Sequence, residues 1–186
     1  MTSQRFKPLA LDEMTAEQRR LADSILAGPR KSLSGPFSAF LYSPETGDYA
    51  QKLGEQVRFR NSLPEKLKEL AILVVARHWT AQFEWFAHYR LAREAGLAPA
   101  VADAIAAGKR PTGLDGDETA IYAFASELLE RKEVSDGTFK AVADRFGEKG
   151  VVDLIATLGY YSLVSMTLNV NRFPIPDNAT PLKKLP

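Results

Sequence analysis

Apolar residues recur along this chain at the three- and four-residue spacing that is typical of amphipathic helices. The clearest stripe follows Glu65 and includes Leu67, Leu70, Val74 and Val75. A second strongly apolar run covers residues 151 to about 170. No segment of any length alternates between apolar and polar residues as a half-buried strand does. The pattern therefore predicts an all-α protein.

Local start and stop signals divide this pattern into separate helices. Thr15-Ala-Glu-Gln18 has the form of a capping box, and Gly28-Pro29 ends the helix that it opens. Ser43-Pro44 and Ser62-Leu63-Pro64 each place a candidate N-cap close to a proline. The segment 30–42 is expected to be a loop. The signals predict helices over about 15–27, 43–59, 62–78, 81–95 (ending at the C′ glycine Gly96), 99–108, 118–132, 136–146 (stopped by Gly147) and 151–170.

The length of 186 residues favours one helical domain with its own core. We divide it into an N-terminal helix and loop (1–42), a core (43–170) and a C-terminal arm (171–186). The arm contains four prolines and cannot form a regular helix. We expect it to wrap a neighbour or to extend freely.

Composition excludes several classes of function. The net charge is +1 and the basic residues are scattered, which argues against a nucleic-acid or membrane partner. No cysteine is present, so disulfides, thiolate metal sites and thiol nucleophiles are excluded. No apolar segment at the N-terminus resembles a signal peptide, and we find no run that suggests a membrane span. These features favour a cytoplasmic protein.

Three ionisable residues lie within otherwise apolar helices: Glu69, Glu84 and His88. Glu84 and His88 are four residues apart and share one helix face. Burying the charged carboxylate of Glu69 in an apolar helix costs free energy unless the carboxylate is paired. On one straight helix Glu69 and His88 would be separated by roughly 28 Å, at 1.5 Å per residue. A joint site therefore requires the chain to reverse near Thr80, an acceptable N-cap for the following helix.

The register of these residues resembles a known family. The spacing Glu69-x11-Ala81-x2-Glu84-x3-His88 is similar to the Glu-x11-Cys-x2-Cys-x3-His motif of the carboxymuconolactone decarboxylase superfamily, which includes the alkyl hydroperoxidase D (AhpD) proteins. Ala81 and Glu84 occupy the two cysteine positions, so the chain resembles the cysteine-free branch. The flanking runs Leu63-Pro64, 67–77, 91–97, 159–161 and 168–169 are also similar, and the resemblance covers roughly residues 40–173.

The resemblance implies an AhpD-like bundle of about seven or eight helices that assembles as a dimer, trimer or hexamer. The helical segments 74–89 and 151–170 are apolar around most of their circumference, which also favours a homo-oligomer. The absence of cysteine argues against the thiol peroxidase activity of the redox branch. The substrate-binding arginine and histidine pattern of the decarboxylase branch cannot be placed on this chain residue by residue, which leaves the substrate open.

We expect a cofactor-independent enzyme that acts on a small organic acid or lactone by acid–base chemistry. His88 would be the general acid or base, Glu69 its orienting partner, and Glu84 a second acid or base or a substrate anchor. Because two close carboxylates resist double ionisation, one of them should titrate high. Phe83 and Trp85 would contact the substrate. Neither a metal nor a cofactor is expected.

The alternative is a non-catalytic helical oligomer that binds a small molecule. Glu84 and His88 could also form a simple helix-surface contact, and Glu69 could be paired structurally with Arg77 or with an arginine of another subunit. His78, next to Trp79, is expected to be a capping or packing residue. A solvent-connected cavity at the three ionisable groups would favour the enzyme, and closed intramolecular pairs would favour the structural interpretation.

Overall fold

A computed structural model describes residues 3–185. In this part of the chain we find eight helices and no strand: α1 (Ala16–Ala27), α2 (Phe37–Phe40), α3 (Pro44–Phe59), α4 (Glu65–His78), α5 (Gln82–Glu94), α6 (Pro99–Ala106), α7 (Gly116–Arg131) and α8 (Asp136–Asn171). The all-α prediction is therefore confirmed.

Helix α4 lies at the centre of the main core, with α5, α7 and α8 packed around it. Every residue from Leu67 to Arg77 is buried. This explains why the apolar stripe in α4 is unusually wide, since a helix that is surrounded by others has no solvent-facing side. Any ionisable residue in this stretch must find its partners inside the protein.

A smaller apolar cluster joins α1, α2 and the first half of α3. The segment 30–42, predicted to be a loop, contains the short helix α2. All four residues of α2 are buried. A single helical turn is too short to show periodicity, so this element could not be recognised from the sequence pattern.

Most predicted helix starts lie within two residues of the observed ones, although α4 begins three residues later than predicted and Ser62 is not its N-cap. Thr15 forms the expected capping box with Gln18. Ser43 is the N-cap of α3 as predicted, but its hydroxyl donates to the Thr46 hydroxyl and accepts from no backbone amide. The Ser62 hydroxyl instead donates to Asp153 Oδ2 at 2.6 Å. Pro64 occupies the N-cap position of α4 without a side-chain hydrogen bond. A long-range acceptor on α8 thus competes successfully with the local cap.

The chain reverses between α4 and α5, as the joint site requires. The Ala81 amide donates to the Ala76 carbonyl at 2.8 Å, and the Thr80 amide donates to the Arg77 carbonyl at 3.0 Å. These two bonds form a Schellman motif, which usually contains glycine at the left-handed position. Here Thr80 takes that position, with φ of 48°. Ala81, and not Thr80, is the N-cap of α5.

The C-terminal arm, as far as residue 185, does not hang free but folds back onto its own chain. The Gln82 amide donates to the Leu182 carbonyl at 2.9 Å and accepts from the Leu182 amide at 2.8 Å. Arg77 Nη1 donates to the Lys183 carbonyl at 2.8 Å. The side chain of Leu182 is buried. Polar side chains at the α4–α5 turn thus hold an arm that lacks secondary structure of its own.

Helix α8 is long and apolar enough, by length and composition, to cross a membrane, contrary to the expectation from sequence. Half of its most apolar window is buried within the fold, as in the core helix of a soluble protein. Gly147 interrupts α8 with φ of 68° and ψ of 175°. The predicted break at this glycine is therefore confirmed.

We predict that Gly147→Ala destabilises the protein by about 1–3 kcal/mol, because a side chain at this backbone conformation is strained. Gly137→Ala in the same helix is the matched control, since a Cβ would meet nothing within 4 Å at either position and only Gly147 has positive φ. The control should be neutral or slightly stabilising. Urea unfolding measures both changes; equal effects would contradict the prediction.

Candidate active site

The α4–α5 hairpin brings Glu69 and His88 into direct contact, although 19 positions separate them in the chain. His88 Nδ1 lies 2.7 Å from Glu69 Oε2. The Glu69 side chain is fully buried and that of His88 is 8% exposed. The antiparallel arrangement thus provides the pairing that a straight helix would prevent.

Arg58 of α3 neutralises the other side of Glu69. Its Nη1 donates to Glu69 Oε1 at 3.0 Å. Arg77, the partner suggested from sequence, instead donates to the Ala106 and Lys183 carbonyls and to the Thr80 hydroxyl. Glu69 is therefore held between a guanidinium and an imidazole, with one carboxylate oxygen for each.

Glu84 lies on the opposite edge of the His88 ring. Its Oε1 is 2.9 Å from His88 Nε2, although the geometry falls short of a hydrogen bond. Arg58, Glu69, His88 and Glu84 thus form a linear chain of alternating charge, which we name the relay. Because the two carboxylates contact opposite ring nitrogens, they do not converge on one point. Among residues 3–185 we find no cluster of three or more potential metal ligands.

Two tyrosines of α8 enclose the relay. The Tyr161 ring meets the His88 ring edge-on, with centroids 4.9 Å apart. Tyr160 packs against Tyr161 at 5.3 Å, and both side chains are buried. Burial raises the pKa of both phenols, that of Tyr160 to about 12. Both hydroxyls therefore remain protonated near neutral pH and are able to donate a hydrogen bond.

The relay keeps His88 positively charged. Burial would lower the pKa of this imidazole, but the charge of Glu84 and the hydrogen bond with Glu69 outweigh burial and raise it to about 9. Burial likewise opposes ionisation of Glu69, yet His88 and Arg58 lower its pKa. The prediction that two close carboxylates would repel each other does not hold for Glu69, because a cation separates it from Glu84.

Several buried polar atoms beside the relay have no hydrogen-bond partner. They are Glu84 Oε1, the Tyr160 hydroxyl, and Nε and Nη2 of Arg30. Arg30 lies in the loop after α1, and its guanidinium stacks on the rings of Phe37 and Phe59 at 4.9 and 5.6 Å. Buried polar atoms are rarely left unpaired in proteins, and such exceptions are characteristic of sites that bind other molecules.

The two aromatic residues predicted to contact substrate face separate cavities. Phe83 lines a cavity of about 990 Å³ at the α4–α5 turn, and Trp85 lines one of about 740 Å³ beneath the C-terminal arm. None of the three main cavities is lined by Glu69, Glu84 or His88. The described residues thus place the three ionisable groups together in closed pairs and the two aromatic residues apart from each other.

Sequence reasoning missed Arg58, Arg30 and Tyr160 as neighbours of the site. A carboxylate within an apolar helix does indicate a buried cation, but the chain contains many arginines and no local spacing selects Arg58. Tyr160 is buried, as a tyrosine in an apolar helix commonly is. Only its unpaired hydroxyl distinguishes it from an ordinary core residue.

Comparison with known proteins finds a family match to one segment of the chain, 84 of its 186 residues. The model of the carboxymuconolactone decarboxylase family matches residues 44–127, which include Arg58, Glu69, Glu84 and His88. Residues 44–127 form a carboxymuconolactone decarboxylase family domain. Arg30 and the two tyrosines of α8 lie outside this domain. A search of curated proteins found no match.

A solved structure confirms the fold that surrounds the carboxymuconolactone decarboxylase domain. The crystal structure of an uncharacterized peroxidase-related protein from Ralstonia eutropha JMP134, described as an alkylhydroperoxidase AhpD core, matches with a TM-score of 0.75. The match covers 95% of this chain and 94% of that chain at 15% sequence identity. The chain therefore has the AhpD-like fold, without the cysteines of the redox motif.

We predict that the two histidines of the chain titrate on opposite sides of pH 6.5. His88 should keep its proton up to a pKa of about 9, whereas burial lowers the pKa of His78. Two-dimensional ¹H–¹³C NMR of the imidazole Cε1 groups would follow both, with His78→Gln assigning the signals. Titration of both rings near 6.5 would contradict the relay.

The raised pKa of His88 also makes stability depend on pH. The folded state holds this proton more tightly than the unfolded chain, so the relay stabilises fully below pH 6.5 and this contribution is lost as pH rises through about 9. The loss is on the order of 3 kcal/mol. Urea unfolding from pH 6.5 to 9.5 should show this decline in the parent protein and a flatter profile in His88→Gln.

Proposed function

We propose that this protein is a cofactor-independent acid–base enzyme that acts on a small organic acid or lactone. The observation that carries the proposal is the ring of His88, which is charged, buried and bracketed by carboxylates on both nitrogens. The two ends are not equivalent. Glu69 is paired on both of its oxygens, whereas Glu84 Oε1 lacks an aligned donor.

This asymmetry supports distinct roles for the two carboxylates. Glu69 fixes the orientation and charge of His88 through Nδ1, as the orienting acid does in other catalytic dyads and triads. The Nε2 edge, next to Glu84, would exchange protons with the substrate. In a decarboxylation, a C–C bond breaks and CO₂ leaves, the electron pair stays on carbon, and the His88 imidazolium supplies the proton. In an isomerisation, Glu84 would remove a proton from carbon and His88 would return one.

The closed pairs favour the structural interpretation, and His88 lines none of the three cavities described above. Each buried polar atom without a partner calls for an explanation, such as an ordered water, an ion or a ligand. The unpaired atoms of Glu84, Tyr160 and Arg30 favour a site that admits a small ligand by local opening. A non-catalytic binding protein would use the same opening without the proton transfer. Turnover is the property that separates these two functions.

We predict that His88→Gln and Glu84→Gln each reduce turnover by roughly 10²- to 10⁴-fold, the usual contribution of a general acid or base. The substrate would come from an unbiased metabolite screen with product detection by mass spectrometry. His78→Gln, at the exposed end of α4, is the control and should retain full activity. Unchanged turnover in both relay variants would exclude the proposed mechanism. Hydroperoxide reduction should stay at background in every variant, because no cysteine is present.

We further propose that the protein is a cytoplasmic homo-oligomer. Apolar side chains on the second part of α8 remain exposed at helical spacing: Val152, Ile155, Leu163, Met166 and Val170. Gly159 lies in the middle of this stripe, and a Cβ built there meets nothing within 4 Å. An exposed apolar stripe of this length supports an interface with a second copy of the chain.

We predict that Ile155→Glu shifts the protein to a smaller assembly, because it places a charge within the apolar stripe. Phe139→Glu is the matched control: Ile155 is 48% exposed and Phe139 is 44% exposed, but Phe139 precedes the break at Gly147. Size-exclusion chromatography with light scattering measures the mass of each variant. A monomeric parent protein, or an equal effect of both changes, would contradict the proposed interface.

A further inference from the structure

Arg30 has an unusual environment for a partly buried cation. Its guanidinium stacks on Phe37 and Phe59, and we find no salt bridge to it within residues 3–185. Stacking fixes the plane of the guanidinium without using its N–H groups. The charge is therefore oriented but not neutralised.

The positions of the two unpaired nitrogens of Arg30 determine which kind of acceptor could bind to both of them. Nε and Nη2 are both buried without an acceptor. These two nitrogens share one edge of the guanidinium, and their N–H groups point in parallel. This edge matches the two oxygens of a carboxylate, which accept both hydrogens in a bidentate pair. A single unpaired nitrogen would not indicate a bidentate acceptor.

Tyr160 supplies a third donor at the same place. Its hydroxyl is buried and unpartnered. A Cβ built on Gly54 would lie 2.2 Å from the Tyr160 hydroxyl oxygen and 2.6 Å from Arg30 Nη2. The two polar atoms therefore converge above Gly54, where any larger residue would displace them. The absence of a side chain at this position of α3 allows the three donor groups to meet.

This cluster is adjacent to the free end of the relay. The charge of Arg30 lowers the pKa of Tyr160 and the charge of Glu84 raises it, with burial as the larger cause of the net rise. The ring packing gives the same adjacency, because Tyr160 contacts Tyr161 at 5.3 Å and Tyr161 contacts the His88 ring at 4.9 Å between centroids. A carboxylate on the Arg30 fork would place the rest of a small molecule next to Glu84 and His88.

We propose that Arg30 and Tyr160 form the anion subsite of this enzyme and that they bind a carboxylate of the substrate. This inference rests on the proposed acid–base function and narrows the substrate class to small carboxylic acids. It also assigns a role to the loop after α1, which lies outside the carboxymuconolactone decarboxylase domain. Arg30 and Tyr160 are binding residues, whereas the relay transfers the proton.

Equilibrium binding tests the subsite separately from turnover. Isothermal titration calorimetry would compare benzoate and acetate with the neutral analogues benzamide and acetamide. We expect the carboxylates to bind the parent protein and the amides to bind at least about tenfold more weakly, because only the carboxylates complete the charged fork. Arg30→Gln should weaken carboxylate binding about tenfold or more. Arg30→Lys, which keeps the charge but loses the fork, should restore only part of the affinity.

Tyr160→Phe gives a second test that does not depend on Arg30. It should weaken carboxylate binding about two- to tenfold and leave the unfolding midpoint in urea unchanged or higher, because it removes an unpartnered hydroxyl. Arg90→Gln, on the exposed face of α5, is the control and should change neither property. A lower unfolding midpoint in Tyr160→Phe would show that its hydroxyl has a structural partner, which would overturn its role as a donor to the ligand.

The outcomes distinguish this inference from the proposed function. Equal binding of carboxylates and amides, no binding of either, or unchanged affinity in a folded Arg30→Gln variant would each overturn the subsite. If His88→Gln and Glu84→Gln still abolish turnover in that case, the proposed function stands with a different anchor. If the two relay variants retain turnover while Arg30→Gln loses carboxylate binding, the subsite stands and the mechanism fails.

Discussion

The burial of Glu69 is the constraint on which the rest of this site depends. A carboxylate at the centre of the most enclosed helix is tolerated only when its charge is compensated, since removing an ion from water costs several kcal/mol even after relaxation. Arg58 and His88 provide this compensation from α3 and α5, on either side of α4. One buried charge therefore fixes the relative positions of three helices. Removing either partner would leave the Glu69 charge only partly compensated within an apolar core.

The same constraint determines the chemistry that the site can support. A buried histidine alone would be neutral near pH 7, because burial disfavours its charged form. Here Glu69 and Glu84 reverse that tendency and hold a cation inside the protein. Glu84 stands where the redox branch of the family has a cysteine. The position that holds a cysteine in the redox branch thus carries the second carboxylate of the relay, and the proposed acid–base function depends on this exchange.

The candidate site is assembled from more of the chain than the family domain alone. The relay lies within residues 44–127, but Tyr160 and Tyr161 come from α8 and Arg30 comes from the loop after α1. The N-terminal segment has its own small apolar cluster, which holds Phe37 beneath the Arg30 guanidinium. The proposed anion subsite and the relay therefore belong to different elements of the fold, and each can be changed without altering the residues of the other.

The sequence by itself determined the helical class, the bounds of most helices, the break at Gly147 and the register of Glu69, Glu84 and His88. Each of these depends on periodicity or on residues within a few positions of one another. The tertiary structure decided which cation meets Glu69, how Thr80 closes a turn without glycine, and where the C-terminal arm packs. It also separated Glu69 from Glu84 by placing them on opposite ring nitrogens. Such pairings join residues that are distant in sequence, and their energies depend on burial, which only the packing of the helices establishes.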